Sequence, residues 1–485
     1  MSRSARARAQ LDHPVIDADG HFLEFSPLFA EDVSGLVREI GGPTVHERFL
    51  RSRIGPWDAK TRPAGDPRES WRAADPFWGW PAANTLDRAT AHLPRLLLER
   101  LDELGLDFAV LYPSHGLSYG HALAYRYALD PELAQVVSRA MNTVFAEMFR
   151  SASSRVAVAA SIPMHTPSIA IEELDHAVHT LGLRAARING YAVRAIPRVH
   201  REHPELLAFA NHFDTFGLDS EYDYDPFWAR CVELGIAPAT HSSQLNRPAR
   251  SVSNYVYNHI GGLAHAHEAL CKSLLLGGVT RRFPALRVAF LEAGVGWACV
   301  LLADLVGHWE KRNAQALRDH LDPARLDVDL LVEFIGQYGT PDVQARVDAV
   351  RAWLTTPEPV PAELDDFAAA AIADAREIVE RFVPNFYFGC EGDDPGVSWA
   401  FNTRTNPFGA QLRAMFGSDI SHWDVPDMAQ SMAEAYEQVE DGRMSAVDFR
   451  DFTFTNVVRL YTDANPGFFE GTSVEGPVRS LVTPR

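Results

Sequence analysis

Five side chains spread over 400 positions, Asp19, His21, His241, Glu292 and Asp419, are of types that together could hold a metal ion. In the stretch Val15–Glu24, VIDADGHFLE, Asp17, Asp19 and His21 follow an apolar pair two residues apart. On a β-strand, residues two apart share a face, so an unbroken strand would point all three the same way. Burying two carboxylates and an imidazole side by side is costly unless something pairs them. A cation would do so; the competing explanation is a turn, since Asp-Gly is a common turn pair. Three further apolar runs end on His241, Glu292 and Asp419. Carboxylates and imidazoles without a nearby thiolate suit Zn²⁺, Mn²⁺ or Fe²⁺. Three or four protein ligands leave a coordination position for water, whose pKa falls, or for a substrate carbonyl or carboxylate. A carboxylate touching both metal and water, the role expected of Asp419, can also carry a proton.

Such residues need elements to bring them together, and the chain supplies eight candidates. Short apolar runs occur in HPVIDADGH, LDFAVLYPSHG, RVAVAASIPMH, LRAARING, GIAPATHSS, LRVAFLEAG, NFYFGCEGDD and AMFGSDIS. Several are separated by sequence of helical periodicity, such as SIAIEELDHAVHTLG. Strands alternating with helices imply a parallel sheet, and eight of them predict a (β/α)8 TIM barrel. Polar residues cluster just after these runs: Asp19 and His21, then His115, His165, Asn189, His241, Glu292, Glu391 and Asp419. That is the end of each strand at which barrel active sites form.

Two stretches break the alternation and distort the expected barrel. Residues 25–94, after strand one, are rich in Trp and Pro and read as an elaborated loop. Its aromatic cluster, Trp57, Trp71, Phe77, Trp78 and Trp80, would be costly to expose, so packing over the barrel mouth or in a dimer interface is expected. Residues 312–383, between strands six and seven, read as acidic amphipathic helices. The expected organisation is a disordered arm over 1–12, one barrel domain over 13–470, and a C-terminal tail over 471–485.

Composition narrows the function classes. A formal charge of −19 disfavours nucleic acid or an anionic membrane as the main partner and leaves a small-molecule substrate. No apolar run reaches transmembrane length, and the basic N-terminus is followed by no signal-type apolar core. The four cysteines form no CxxC pair, which argues against a disulfide framework and for a reducing, cytoplasmic setting.

The blocks VIDADGHFLE, LDELGLDFAVLYPS, GGVTRRFPALRVAFLEAGVGWA, FGSDISHWDVPD and NVVRLY, in that order, resemble the amidohydrolase-related branch of the metal-dependent amidohydrolase superfamily. That branch includes the aminocarboxymuconate-semialdehyde decarboxylase-like proteins, and the blocks span nearly the whole chain. The resemblance implies a metal-dependent barrel with ligands at Asp19, His21, His241 and Asp419. Two departures add negative charge: Asp19 stands where many members have His or Glu, and Glu292 where the decarboxylases have His. A more anionic pocket could hold a second cation. His259, His265 and His267 lie shortly before Glu292, and His259 and His265 are candidates for acid–base work, against the alternative of surface or core histidines on a helix.

The expected function is hydrolysis or non-oxidative decarboxylation of a small carboxylated molecule, with one or two Zn, Mn or Fe ions per chain. The rivals are a dinuclear iron or iron/manganese oxygenase on the same barrel, which a few relatives with similar blocks resemble, and an inactive partner subunit in a heteromer. Arg187 could bind a substrate carboxylate or serve a structural ion pair. Tyr112 and His422 are further substrate-side candidates, with packing and loop roles as the alternatives. Glu391, Asp393 and Asp394 read as helix caps or as support behind the ligands, and Cys390 as a small packed residue.

Overall fold

The computed structural model describes residues 1–52, 54, 68, 84–126, 130–150, 154–206, 210–241, 249–356, 364–422 and 425–482. The expected Trp/Pro-rich cluster therefore lies outside the described residues.

Eight parallel strands form one sheet, curled into a nearly closed barrel. They are β1 (Ile16–Phe22), β2 (Phe108–Pro113), β3 (Val156–Ser161), β4 (Ala185–Ile188), β7 (Pro238–Thr240), β8 (Val288–Phe290), β9 (Phe386–Glu391) and β10 (Arg413–Gly417). All eight expected strands are present. A two-stranded antiparallel ribbon, β5 (Ala192–Ala195) and β6 (Asn211–Asp214), interrupts the series after β4. The seam between β10 and β1 is stitched just beyond the strand end. The Asp419 N–H donates to the Asp19 carbonyl at 3.0 Å, and the Ser418 N–H to Asp17 Oδ1 at 2.9 Å.

The apolar residues split by strand parity, as a two-sided strand requires. Ile16, Ala18, Phe108, Val110, Tyr112, Ala159, Tyr387 and Met415 form one buried cluster, which continues into Val457, Tyr461, Phe469, Val474 and Val478. The helices Asn456–Thr462 and Glu475–Val482 thus plug the amino end of the barrel. Phe108, the first residue of β2, meets Phe469 edge-on at 5.5 Å. Alternate residues, such as Ala109, Leu111, Val158 and Phe388, pack outward against the surrounding helices.

Several regions differ from expectation. The first twelve residues are no disordered arm: helix Arg3–Arg8 is capped by Ser2 and buries Ser4 and Ala7. It is held by side chain and backbone together, with Ser4 N–H donating to the Ala429 carbonyl and Arg3 pairing with Glu437. Much of the described part of 25–94 is helical rather than loop. The segment Ser26–Ser52 turns at Gly42 (φ 72°) and buries Phe29, Val33, Val37, Val45 and Phe49. In the 312–383 region, the helices from Ala314 to Leu354 bury no residue. Toward the end of that region, the helix Ala375–Phe382 packs into the barrel shell, with Ile378 and Phe382 fully buried and Phe382 edge-on to Phe386 at 5.2 Å.

Candidate metal centre

The carboxyl end of the barrel gathers the expected ligands. β1 delivers Asp19 and His21, but not by simple alternation. Its register against β2 shifts between Asp17 and Gly20, so two residues oppose one. Such a bulge re-aims side chains. Asp17 pairs with Ala109, a residue of the outer core, while His21 pairs with Tyr112 of the inner one. The expectation that Asp17 shares a face with Asp19 and His21 is therefore corrected. Asp17 instead accepts from the Ser418 N–H and hydroxyl and from the Asp19 N–H, tying the ends of β1 and β10 together. Burial raises its pKa to about 6.

His241 follows β7, Glu292 follows β8, and Asp419 follows β10. Glu292 (φ 54°) and Asp419 (φ 47°) both adopt left-handed backbone, rare for residues with a Cβ. Strain of this kind persists only where the surrounding structure enforces it, and it concentrates at functional sites. Gly417 clears the way: a Cβ there would come within 2.9 Å of the Asp19 Cβ.

The ligand atoms of Asp19, His21 and His241 lie within 4.8 Å of one another, as do those of His21, Glu292, Asp419 and His422. His21 Nε2 is 3.2 Å from Asp419 Oδ1 and 3.4 Å from Asp19 Oδ1; His241 Nε2 is 2.8 Å from Glu292 Oε2. Burial holds the His21 and His241 pKa values down, His241 to about 3 with help from the Arg187 charge. Both imidazoles are thus neutral, the form that ligates metal. The Asp19 pKa is pushed well up by burial and then by Glu292 and Asp17. The buried Asp19 Oδ1 finds no hydrogen-bond donor among the described residues. Neutral imidazoles among crowded, buried carboxylates are the donor set a divalent cation satisfies.

A cavity of about 230 Å³ opens beside the cluster, lined by Glu292, Gly294, Glu391, Asp394, His259 and the start of helix Gly262–Leu276. His259 reaches this cavity. His265 does not: it is exposed, and its expected catalytic role is not supported. Leu263 and Ala264 face the cavity and His267 is fully buried, so 265 falls on the opposite side of the helix. His267 is wedged between Phe290 (5.7 Å) and Trp297 (6.3 Å).

Tyr112 lies lower than expected, fully buried, its ring 6.0 Å from both His21 and His241, as the floor of the site. Arg187 is 1% exposed. It donates to Asn189 Oδ1 at 2.6 Å, and its Nη2 occupies the space a Cβ on Gly120 would take. Among the described residues no carboxylate pairs with it, and burial lowers its pKa to about 9. His422 stacks on His21 at 3.9 Å and sits 2.6 Å from Asp419. His165 contacts the Leu123 carbonyl at 3.2 Å, away from the cluster.

Three contributors were not expected. Ser114 Oγ lies 3.1 Å from His422 Nε2. His121 Nε2 lies 3.1 Å from the His241 carbonyl. Glu24 accepts from the His115 and Gly116 N–H groups, at 2.9 and 3.1 Å. Ser114 and His121 are seven apart on helix Ser114–Arg126, so they share a face, and that spacing was a usable signal.

Fold and site together define a (β/α)8 barrel enzyme built around a candidate divalent-metal centre. A family profile described as amidohydrolase matches residues 16–375, and the chain belongs to that family. Among solved structures, the chain is similar to an amidohydrolase from Mycobacterium avium subsp. paratuberculosis, with 16% identity, TM-score 0.54, and coverage of 93% of this chain and 100% of that one. It is also similar to a dihydroxybenzoic acid decarboxylase from Polaromonas sp., with 17% identity, TM-score 0.46 and coverage of 93% and 97%. A third, 2,6-dihydroxybenzoate decarboxylase from Rhizobium, has 16% identity, TM-score 0.46 and coverage of 93% and 99%. Among the described residues, no helix is long and apolar enough to cross a membrane.

Proposed function

We propose that the protein is a metal-dependent hydrolase or carboxy-lyase acting on a small carboxylated organic molecule at the barrel mouth. The observation that carries this reading is the convergence of Asp19, His21, His241, Glu292 and Asp419, with a buried Asp19 Oδ1 that finds no donor among the described residues. A divalent ion held there would polarise a substrate carboxylate or acidify a water. The remaining work falls to the chain. Arg187 places a buried positive charge near His241, complementary to a substrate carboxylate. Asp419, held by His422, is positioned to take or return a proton, and His259 faces the adjoining cavity as a second proton carrier. The four free, buried cysteines fit a cytoplasmic setting, and a homodimer belongs to the same proposal.

One observation favours a second reading. The two ligand groups overlap only at His21, and Glu391 lines the cavity beside Glu292, so the site has carboxylates enough for two cations. That arrangement suits a dinuclear oxygenase. Elemental analysis of anaerobically prepared protein separates the readings. One equivalent of zinc or manganese supports hydrolysis or decarboxylation, and two including iron support oxygen chemistry. No bound metal, with Asp19→Ala leaving stability unchanged, would sink both.

A further inference from the structure

We propose that Ser114 is a positioning residue that fixes the imidazole of His422, and through it the carboxylate of Asp419. The three side chains form one line. Ser114 Oγ lies 3.1 Å from His422 Nε2, and His422 Nδ1 lies 2.6 Å from Asp419 Oδ1. Two lone pairs cannot face each other at that distance, so with Asp419 ionised the proton of this close ion-pair contact sits on Nδ1. In the neutral ring Nε2 is then an acceptor, and the Ser114 hydroxyl donates to it. The serine thereby selects one tautomer. With its Nε2 lone pair engaged, His422 turns its Nδ1 side to the Asp419 carboxylate as an ion-pair contact rather than competing with it as a ligand through Nε2.

Each member of the line is itself held. Ser114, 5% exposed, is the first residue of helix Ser114–Arg126, directly after β2. The buried Glu24 accepts from the next two N–H groups of that helix, His115 and Gly116, and so pins its start against the end of β1. His422 is clamped from the other side by stacking on His21 at 3.9 Å. Asp419 sits in left-handed backbone, with its N–H bonded to the Asp19 carbonyl. A carboxylate on a strained turn needs its side chain fixed as well as its backbone, and partners behind a ligand do that. The same three residue types in the same order also make up nucleophilic triads, in which the serine would attack substrate. The placement of Asp419 inside the ligand cluster favours positioning over attack.

The test compares wild type with Ser114→Ala and Ser114→Thr. The first readout is ¹⁵N NMR of histidine-labelled, metal-free protein, with His422→Gln supplying the assignment. Wild type and Ser114→Thr should show His422 protonated at Nδ1, and Ser114→Ala should show mixed tautomers. The second readout is Mn²⁺ titration by calorimetry. Ser114→Ala should bind roughly 10–100-fold more weakly, the usual cost of losing a partner behind a ligand, and the threonine variant should recover most of that loss. An unchanged tautomer and affinity in Ser114→Ala overturns the proposal, as does covalent labelling of Ser114 by a fluorophosphonate, which would make it a nucleophile. The affinity measurement rests on the metal reading above. The tautomer measurement does not, so a wild type that binds no Mn²⁺ would refute that reading while the NMR result still decides the role of Ser114.

Discussion

Replacing Glu292 by Gln should make the metal-free protein more stable and the metal-loaded protein less so. The carboxylate oxygens of Glu292 and Asp419 lie within 4.8 Å of each other. Two ionised carboxylates at that separation repel by about 3.5 kcal/mol at an effective dielectric of about 20. Protonation relieves part of this when no cation is present, since the Asp19 pKa is already raised by burial and by Glu292. A net gain of about 1–3 kcal/mol for the neutral amide remains. The amide oxygen can still accept from His241, which sits 2.8 Å from Oε2, and the new NH2 group faces the neighbouring carboxylate of Asp419, which can accept from it. Unfolding entropy of about 2.1 cal/mol/K per residue gives a chain of this length about 1 °C in Tm per kcal/mol, so the metal-free Tm should rise about 1–3 °C. Saturating Mn²⁺ should narrow the gap, and should reverse the order where losing the carboxylate weakens binding by more than about 100-fold. A ligand at 100 times its Kd stabilises by about 2.7 kcal/mol, and each tenfold loss of affinity removes about 1.4. The assay is thermal melting of both proteins in chelator and across a Mn²⁺ titration. A variant that melts below wild type in chelator and keeps the full Mn²⁺-induced shift would refute the reasoning, because Glu292 would then be neither crowded nor a ligand.

Two other expectations concern stability. Arg194, on the β5–β6 ribbon, pairs with buried Asp214 at 3.0 Å and also donates to the His165 carbonyl and the Tyr224 hydroxyl, each at 2.8 Å. Arg194→Met should cost about 3–5 kcal/mol by stranding the Asp214 charge, and Arg194→Met/Asp214→Leu should recover much of it in thermal melts. Burial raises the Glu24 pKa to about 7 from an ordinary 4.5. A carboxyl whose folded pKa is raised gives stability that is full below the unfolded value and is lost as pH rises through the folded one. Glu24→Gln loses one of the two N–H contacts and should melt below wild type at pH 5, with the gap narrowing by up to about 3 kcal/mol by pH 8. A gap that stays constant or widens across that range would contradict the assignment.

The barrel was legible because a strand buried on both faces is an unbroken apolar run, and each run here ends on a polar residue at one end of the sheet. What lay between the strands was less legible. Ser4 in the N-terminal helix bonds to Ala429 and to Ala433 of the helix beginning at Ser431, more than 400 positions away, and nothing local to MSRSARARAQ announces that partner. The segment AELDDFAAAAIADAREIVERF looks helical throughout by propensity. Among its described residues only the last eight form a helix, while Phe367, Ala370 and Ile372 reach the same buried core as Ile378 and Phe382 through a run of turns. Tertiary packing overrode propensity there.

The candidate ligand set was legible in residue type but not in geometry. Strict alternation placed Asp17 with Asp19 and His21, and the bulge in β1 sends Asp17 outward instead. Bulges insert one residue without a composition signal of their own, so parity arguments fail at strand ends. Glu292 and Asp419 illustrate the same limit: both leave their strands through left-handed backbone, and the sequence offers no glycine or asparagine to mark it. These failures fall on residues of the site itself. Strain at both carboxylates, a bulge at the Asp19 turn and a glycine yielding to Asp19 all serve one end, bringing side chains from three strands within a few ångströms of His21. A chain optimised for stability alone would have no cause to crowd those charges together, so the local rules broken at the mouth of this barrel are themselves an argument that function, not packing, selected the arrangement.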